Sequence, residues 1–269
     1  MNKKSFGFLF ILLITILLSS CDGFNKLSKS KDYDKKYEAA LDYYEKKDYF
    51  KAQQLFDELL VIFRGQPRAE EVFFKYAYSY YHMGDYLTAA FYFQKYAVTF
   101  PKSGKTEEAF FMSAYCKYLD SPKFSLDQAS TYDAISQLQT FINIYSNSPR
   151  VDTANMYIDE LRLKLERKGF EKAKLYHTTG YDRSAITALT LFVKNNPGSL
   201  YREEAMFLLL DASFRYASNS VAAKKAERLQ DSRQAYQTYV ASFPEGSFRS
   251  RADAISKRIE SEIAKINIE

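Results

Sequence analysis

Small and large apolar residues recur along this chain at the spacing of one helix face. In three segments, a small residue is followed four and seven positions later by apolar residues. The sets are Ala134/Leu138/Phe141, Ala185/Leu189/Phe192 and Ser232/Tyr236/Tyr239. Residues at this spacing lie on one side of an α-helix. The pattern therefore predicts amphipathic helices that each bury one stripe.

The first part of the chain repeats itself with an offset of 37 residues. Asp48-Tyr49 corresponds to Asp85-Tyr86, and the same offset relates Ala52 to Ala89, Phe56 to Phe93 and Phe63 to Phe100. The segments that precede these helices carry Ala40, Ala77 and Ala114, also 37 residues apart. Small residues let two helices approach closely, so each repeat is predicted to be a helix pair.

Prolines and serines mark the ends of the repeats. Pro101, Pro197 and Pro244 each follow the small residue of a second helix by twelve positions, and proline cannot continue a helix. Three serines follow the second helices as possible N-caps of the next helices: Ser103, Ser148 and Ser199. We expect five repeats, at about 33–66, 70–103, 106–148, 152–199 and 201–266, with insertions within the third and fifth.

The amino terminus has the pattern of a secretory signal. Lys3 and Lys4 precede an apolar run from Phe6 to Leu18, and two small serines follow it. The uncharged run from Ser5 to Cys21 is at the short limit for crossing a bilayer. We therefore predict a signal peptide over residues 1–20, a tether over 21–32 and a repeat domain over 33–269.

Leu18-Ser19-Ser20-Cys21 is similar to a bacterial lipobox. That resemblance implies cleavage before Cys21, a diacylglycerol group on its thiol and an acylated amino terminus. An ordinary cleaved signal and an uncleaved anchor are the alternatives. In enteric bacteria, an aspartate at the position of Asp22 tends to retain a lipoprotein in the inner membrane.

Composition narrows the possible functions. The net charge is +5, with mixed signs, which gives no case for nucleic-acid binding. Nine glycines and six prolines are few for an all-β fold. Only two histidines, His82 and His177, and two cysteines, Cys21 and Cys116, occur, without metal-ligand spacing. There is no phosphate loop or nucleophile elbow. We expect no enzyme activity, no metal and no cofactor.

The helix pairs resemble the tetratricopeptide repeat. The second repeat carries the motif best, with Phe73, Ala77, Tyr80, Gly84, Ala89, Phe93 and Pro101. The fourth repeat keeps Ala173, Tyr176, Gly180, Ala185 and Pro197. The resemblance implies an all-α solenoid, in which stacked helix pairs bury a continuous core and leave a concave face.

A narrower resemblance follows from five such repeats placed directly behind a lipobox. The turn Phe100-Pro101-Lys102-Ser103 is similar to the aromatic-Pro-x-Ser turns of the BamD family. The resemblance implies a non-enzymatic lipoprotein on the periplasmic face of the outer membrane. Its partners would be the periplasmic domains of a BamA-type barrel protein, other Bam subunits and unfolded outer-membrane proteins.

In a tetratricopeptide-like repeat the first helix lines the concave face, which selects nine positions in the first three repeats. Eight of the nine are aromatic, and Leu41 is the exception. The eight are Tyr37, Tyr44, Phe74, Tyr78, Tyr81, Phe111, Tyr115 and Tyr118. Such a surface suits an extended strand rich in aromatic residues, with Glu71, Glu108 and Lys75 nearby to orient it. Packing between repeats is the alternative for this stripe, because most aromatic stripes at helical spacing belong to the core.

Two other functions are compatible with the sequence. One is a periplasmic repeat adaptor that coordinates cell-envelope or cell-wall enzymes. Such adaptors more often carry a coiled coil, and no sustained heptads occur here. The other is a lipid-anchored glycan-binding protein, although the chain has no tryptophan on which sugars would stack.

Overall fold

The structure is a computed structural model that describes residues 23–266, all of whose regular elements are helices. A short helix α1 covers residues 23–28. The helices that follow are α2 Tyr33–Glu45, α3 Tyr49–Ile62, α4 Arg68–His82, α5 Tyr86–Thr99, α6 Thr106–Asp120, α7 Ala129–Ile144, α8 Val151–Thr178, α9 Asp182–Asn195, α10 Arg202–Ser218, α11 Ala222–Ser242 and α12 Arg249–Ile266. The predicted all-α fold class is confirmed.

The predicted signal peptide and Cys21 lie outside the described residues. Within residues 23–266, no helix is both long enough and apolar enough to cross a bilayer.

The described chain divides into two compact units. Unit 1 runs to Pro122 and includes Gln128–Asp159, and unit 2 comprises Lys123–Asp127 and the chain from Glu160 onward. In unit 1, helices α2 to α7 pack in chain order, each against the next, as in an α-solenoid. In unit 2, α9, α10 and α11 pack in the same way, and α12 covers both α10 and α11.

Local chemistry explains where the second helices begin. The side chains of Asp48 and Asp85 accept hydrogen bonds from the backbone N–H groups of Lys51, at 3.3 Å, and Thr88, at 3.1 Å. Each aspartate is therefore the N-cap of its helix, which accounts for the repeated Asp-Tyr pair.

The turns within three helix pairs need a left-handed residue. Gly84 and Gly180 have φ values of 79° and 77°, and Lys47 occupies the corresponding turn of the first pair with a φ of 62°. Glycine adopts this conformation at little cost, whereas a residue with a Cβ atom is strained in it. The first turn is therefore the least favourable of the three.

The prediction that serines cap the following helices is wrong. The N-caps of α6 and α10 are Lys105 and Tyr201, and neither makes a side-chain cap hydrogen bond. Ser103 and Ser199 lie two residues earlier, and their Oγ atoms accept from the N–H groups of those N-cap residues at 3.0 and 2.9 Å. The serines therefore fold the turn before the helix instead of capping it.

The same serines tie each turn to the first helix of its own pair. Their hydroxyls donate to glutamates at 2.6 Å in three pairs, which we call the Glu–Ser latches. The latches are Glu70–Ser103, Glu107–Ser148 and Glu166–Ser199. A hydrogen bond to a carboxylate is stronger than a neutral one. The serine that ends each of these turns thus closes a helix pair on itself.

The last pair closes in a modified way. Gly246 occupies the serine position of Phe243-Pro244-Glu245-Gly246, and the carboxylate of Glu203 takes the place of the missing hydroxyl. Oε1 of Glu203 accepts from the backbone N–H of Phe248 at 3.2 Å and from the Tyr239 hydroxyl at 3.0 Å.

Candidate functional site

The structure brings the predicted aromatic positions together on α2, α4 and α6 of unit 1. The first row, Tyr37, Phe74 and Phe111, is buried, with exposed fractions of 7–9%. The remaining five residues are half-buried, and we call them the tyrosine face: Tyr44, Tyr78, Tyr81, Tyr115 and Tyr118. The first row thus contributes to packing, and only the tyrosine face presents partly open rings.

Ring contacts connect the tyrosine face from one repeat to the next. The Tyr81 and Tyr115 ring centroids are 6.3 Å apart, and those of Tyr115 and Tyr118 are 5.9 Å apart. The His82 ring joins Tyr44, at 6.2 Å, to Tyr78, at 5.9 Å. A continuous run of rings therefore crosses three helices.

Each ring of the buried first row is covered by a cation from the turn that follows its repeat. Arg68 lies 4.9 Å from the Tyr37 ring centroid, and Lys105 lies 4.8 Å from that of Phe74. Arg150 lies 5.8 Å from the third ring, that of Phe111. Cations over aromatic faces are stabilising, so these residues hold the edge of the stripe in place.

Two tyrosine hydroxyls are already committed to glutamates of the next repeat. Tyr37 donates to Glu71 at 2.6 Å, and Tyr78 donates to Glu108. Burial and the bond to Glu71 raise the pKa of Tyr37 to about 12, and burial and the bond to Glu108 raise the pKa of Tyr78. Both phenols therefore stay protonated at physiological pH. Glu71 and Glu108 therefore hold the rings of Tyr37 and Tyr78 in place, because their carboxylates accept hydrogen bonds from these hydroxyls.

Tyr44 has a different environment. Burial raises its pKa to about 12, and its hydroxyl makes no hydrogen bond to a described residue. The Lys75 amino group lies 4.3 Å from its ring centroid and forms a 3.0 Å ion pair with Glu45. The protonated Tyr44 hydroxyl is thus a hydrogen-bond donor without a partner among the described residues, and it lies next to the ion-paired Lys75.

Sequence reasoning missed Tyr157 of α8. Its ring stacks on Tyr118 at 4.3 Å and on Tyr115 at 5.1 Å, extending the tyrosine face to a fourth helix within unit 1. α8 has 28 residues, and its repeat motif was recognised at Ala173, well beyond Tyr157. No repeat spacing therefore marked this residue.

The remaining reactive groups do not assemble around the tyrosine face. Cys116 is fully buried, and burial raises its thiol pKa to about 12. His177 contacts Asp211 at 2.8 Å in unit 2, and that contact helps to hold the pKa of Asp211 below its ordinary value. Across residues 23–266, no group of three or more His, Cys, Asp and Glu side chains could hold a metal ion.

Helix pairs with buried alanines, left-handed turns and, in three pairs, a Glu–Ser latch define a tetratricopeptide-like repeat protein. The family model described as "YfiO: Outer membrane lipoprotein" matches residues 29–186, which is more than half of the chain. The chain therefore belongs to the YfiO family of outer membrane lipoproteins, the family that includes BamD.

No curated protein matches the chain. Solved structures similar to it include the TPR2AB domain of yeast Sti1 in a pHSP90 complex, with 15% identity and a TM-score of 0.38. That match covers 85% of this chain and 98% of the other. A putative kinesin light chain of Podospora anserina with TPR-like repeats has 14% identity and a TM-score of 0.32, over 79% of this chain and 96% of the other.

Proposed function

We propose that this protein is a non-enzymatic, lipid-anchored scaffold of the machinery that assembles β-barrels in the outer membrane. It binds a BamA-type barrel protein through that partner's periplasmic domains, together with other Bam subunits. It also receives unfolded outer-membrane proteins before insertion. Membership of an outer membrane lipoprotein family supports the compartment. The half-buried tyrosine face is the observation that carries the binding role.

The tyrosine face has the chemistry that an unfolded barrel strand requires. Such a strand is extended, alternates apolar and polar residues and is rich in aromatic side chains. Rings that are already ordered offer large contact areas at low entropic cost. The open phenol of Tyr44 adds a donor for a strand carbonyl. Because the Tyr78 phenol is held by Glu108, that ring meets a ligand in a fixed orientation.

The anchor is the diacylglyceryl group that we propose on Cys21. A single acyl chain binds a membrane only marginally, whereas two or three hold a protein stably. The change Cys21→Ser would release the protein from membranes and leave a soluble helical chain.

The binding role is tested with the full mature chain carrying Cys21→Ser and a fluorescent peptide that alternates aromatic and polar residues. Alanine at Tyr81 or Tyr118 should weaken binding about fivefold or more, because truncating an aromatic anchor costs more than about 1 kcal/mol. The matched control is Tyr132→Ala on α7 of the same unit, where the side chain is 63% exposed and outside the tyrosine face.

Circular dichroism checks that each variant keeps its helices. Equal affinity for the wild type, both face variants and the control would contradict the assignment of the tyrosine face.

A pull-down of the native lipoprotein separates the proposal from its rivals. Recovery of a large β-barrel protein with tandem periplasmic domains supports an assembly scaffold. Recovery of cell-wall enzymes favours an envelope adaptor, and recovery of glycan transporters favours a glycan-binding protein.

A further inference from the structure

One end of unit 1 carries the turns within its first two helix pairs side by side. We call this end the turn edge and define it by Lys46, Lys47, Phe50, Met83 and Leu87. The two turns are adjacent because the His82 ring stacks on the Tyr49 ring at a centroid distance of 4.3 Å. The first turns of α3 and α5 therefore face the same way.

The turn edge carries three uncovered apolar side chains beside its two lysines. Phe50 is 62% exposed and Leu87 is 67% exposed, and these residues occupy corresponding positions in α3 and α5. Met83, in the turn between them, is 37% exposed. A single exposed apolar side chain is ordinary, but a neighbouring group of them is typical of an interaction surface.

The amino-terminal segment docks beside this edge. The ring of Phe24 in α1 lies 5.6 Å from that of Tyr43 in the last turn of α2, and the Lys51 amino group lies 5.9 Å from the Phe24 centroid. Leu27 of α1 packs against the same core cluster. The described chain thus begins where α2 ends and α3 starts.

The predicted lipid attachment is only two residues before Gly23. Even a fully extended chain spans no more than about 3.6 Å per residue, so Cys21 lies within roughly 10 Å of the start of α1. Acyl chains on Cys21 would therefore enter the bilayer close to α1, which contacts Tyr43 and Lys51 at the turn between α2 and α3. The short span between Cys21 and α1 therefore selects the membrane, over any distant partner, as what this edge meets.

We infer that the turn edge rests on the phospholipid leaflet, with Phe50 and Leu87 in the interface between headgroups and acyl chains. The inference deepens the proposed anchoring at Cys21 and rests on it. Lys47 lies three residues before Phe50 and is exposed, so its amino group meets headgroup phosphates, whereas the Lys46 amino group forms a 2.7 Å ion pair with Asp42. The edge is a second membrane attachment beside the acyl chains.

In this orientation, the two ends of α3 and of α5 lie at different distances from the membrane. Val61 in α3 and Val98 in α5 are eleven residues beyond Phe50 and Leu87, which corresponds to about 16 Å of helix. Both valines are apolar and more than 70% exposed. They therefore match the edge residues in chemistry and differ from them in position along the helix.

The absence of tryptophan from the chain makes the test direct. Single variants Phe50→Trp, Leu87→Trp, Val61→Trp and Val98→Trp are prepared as the lipidated mature protein. Each is reconstituted in phosphatidylethanolamine–phosphatidylglycerol vesicles with or without bromine on the acyl chains, which quenches nearby tryptophan. Flotation of the same vesicles reports the anchor independently.

The expected result is that the Phe50→Trp and Leu87→Trp proteins lose most of their emission in brominated vesicles, while the Val61→Trp and Val98→Trp proteins keep theirs. Floating proteins with equal quenching at all four positions, or with stronger quenching at the valine positions, would overturn the membrane-facing edge and leave the anchor intact. Proteins that remain in the aqueous fraction would overturn the anchor and the inference with it.

Discussion

Among the glycines of the described chain, Gly246 is the one where an added Cβ atom would make the closest contacts. Gly246→Ala therefore tests the closure of the last helix pair. A Cβ atom built at this position would lie 2.3 Å from Oε1 of Glu203 and 2.7 Å from the Tyr239 hydroxyl. Ordinary contacts begin at 3.4 Å, so the carboxylate must retreat by about 1.1 Å. That displacement breaks the bonds that Glu203 accepts from Tyr239 and Phe248.

The expected cost follows from those two hydrogen bonds. A hydrogen bond to a charged group contributes roughly 1.5–3 kcal/mol, and the Tyr239 side chain is fully buried. Replacing glycine by alanine offsets about 0.4–1 kcal/mol by restricting the unfolded chain. We therefore expect Gly246→Ala to lower the free energy of unfolding by about 2–6 kcal/mol.

The measurement is urea unfolding of the full mature chain carrying Cys21→Ser, followed by circular dichroism. Gly198→Ala is the matched control, because Gly198 lies in the corresponding turn of the preceding pair and a Cβ atom there meets nothing within 4 Å. Its stability should be unchanged or higher by up to about 1 kcal/mol.

A double-mutant cycle identifies the cause. In a Glu203→Ala background, Gly246→Ala should lose the part of its effect that comes from displacing the carboxylate and keep the part that comes from Phe243, whose Cβ would lie 2.9 Å from the new methyl group. A Gly246→Ala protein as stable as the wild type, or one equally destabilised in both backgrounds, would refute the closure role of Glu203.

Two further predictions concern the turns and the buried phenols. Lys47→Gly should raise the free energy of unfolding by about 0.5–1 kcal/mol and Gly84→Ala should lower it by about 1 kcal/mol, because both positions have a left-handed backbone; opposite signs in urea unfolding would contradict this. Folding raises the pKa of four tyrosines from 10.0 to about 12. The contribution of these phenols to the free energy of unfolding should therefore be fully present below pH 10 and be lost as the pH rises from 10 through 12. The four are Tyr37, Tyr44, Tyr96 and Tyr239. Phenolate absorbance and helical circular dichroism should change together in this window, and full ionisation with helices intact would count against the argument.

The stripes of apolar residues predicted the helices because helix periodicity is a local property of the chain. Ala40, Ala77 and Ala114 are fully buried, as their 37-residue spacing implied. The repeated Asp-Tyr pairs are explained by N-capping, which involves only residues three apart. The all-α fold class therefore followed from spacing alone.

Other features depended on which residues packing brings together. The serine at the end of each repeat has the local pattern of an N-cap, yet Ser103 donates to Glu70, 33 residues earlier. Glu71 and Glu108 were expected to orient a ligand beside the aromatic stripe. They instead accept hydrogen bonds from Tyr37 and Tyr78 of the preceding repeat. Neither partner could be chosen from the sequence, because each bond crosses from one helix to another.

The sequence by itself determined the helices, their pairing and the aromatic stripe, since these depend on residues within a few turns of one another. Only the tertiary structure decided that Tyr37 is buried while Tyr81 is partly open, and that Tyr157 joins the same surface. It also placed Phe24 of the amino-terminal segment against Tyr43, at the turn between α2 and α3. The physical reason is that exposure and adjacency depend on how neighbouring helices pack, and helix periodicity does not specify that packing.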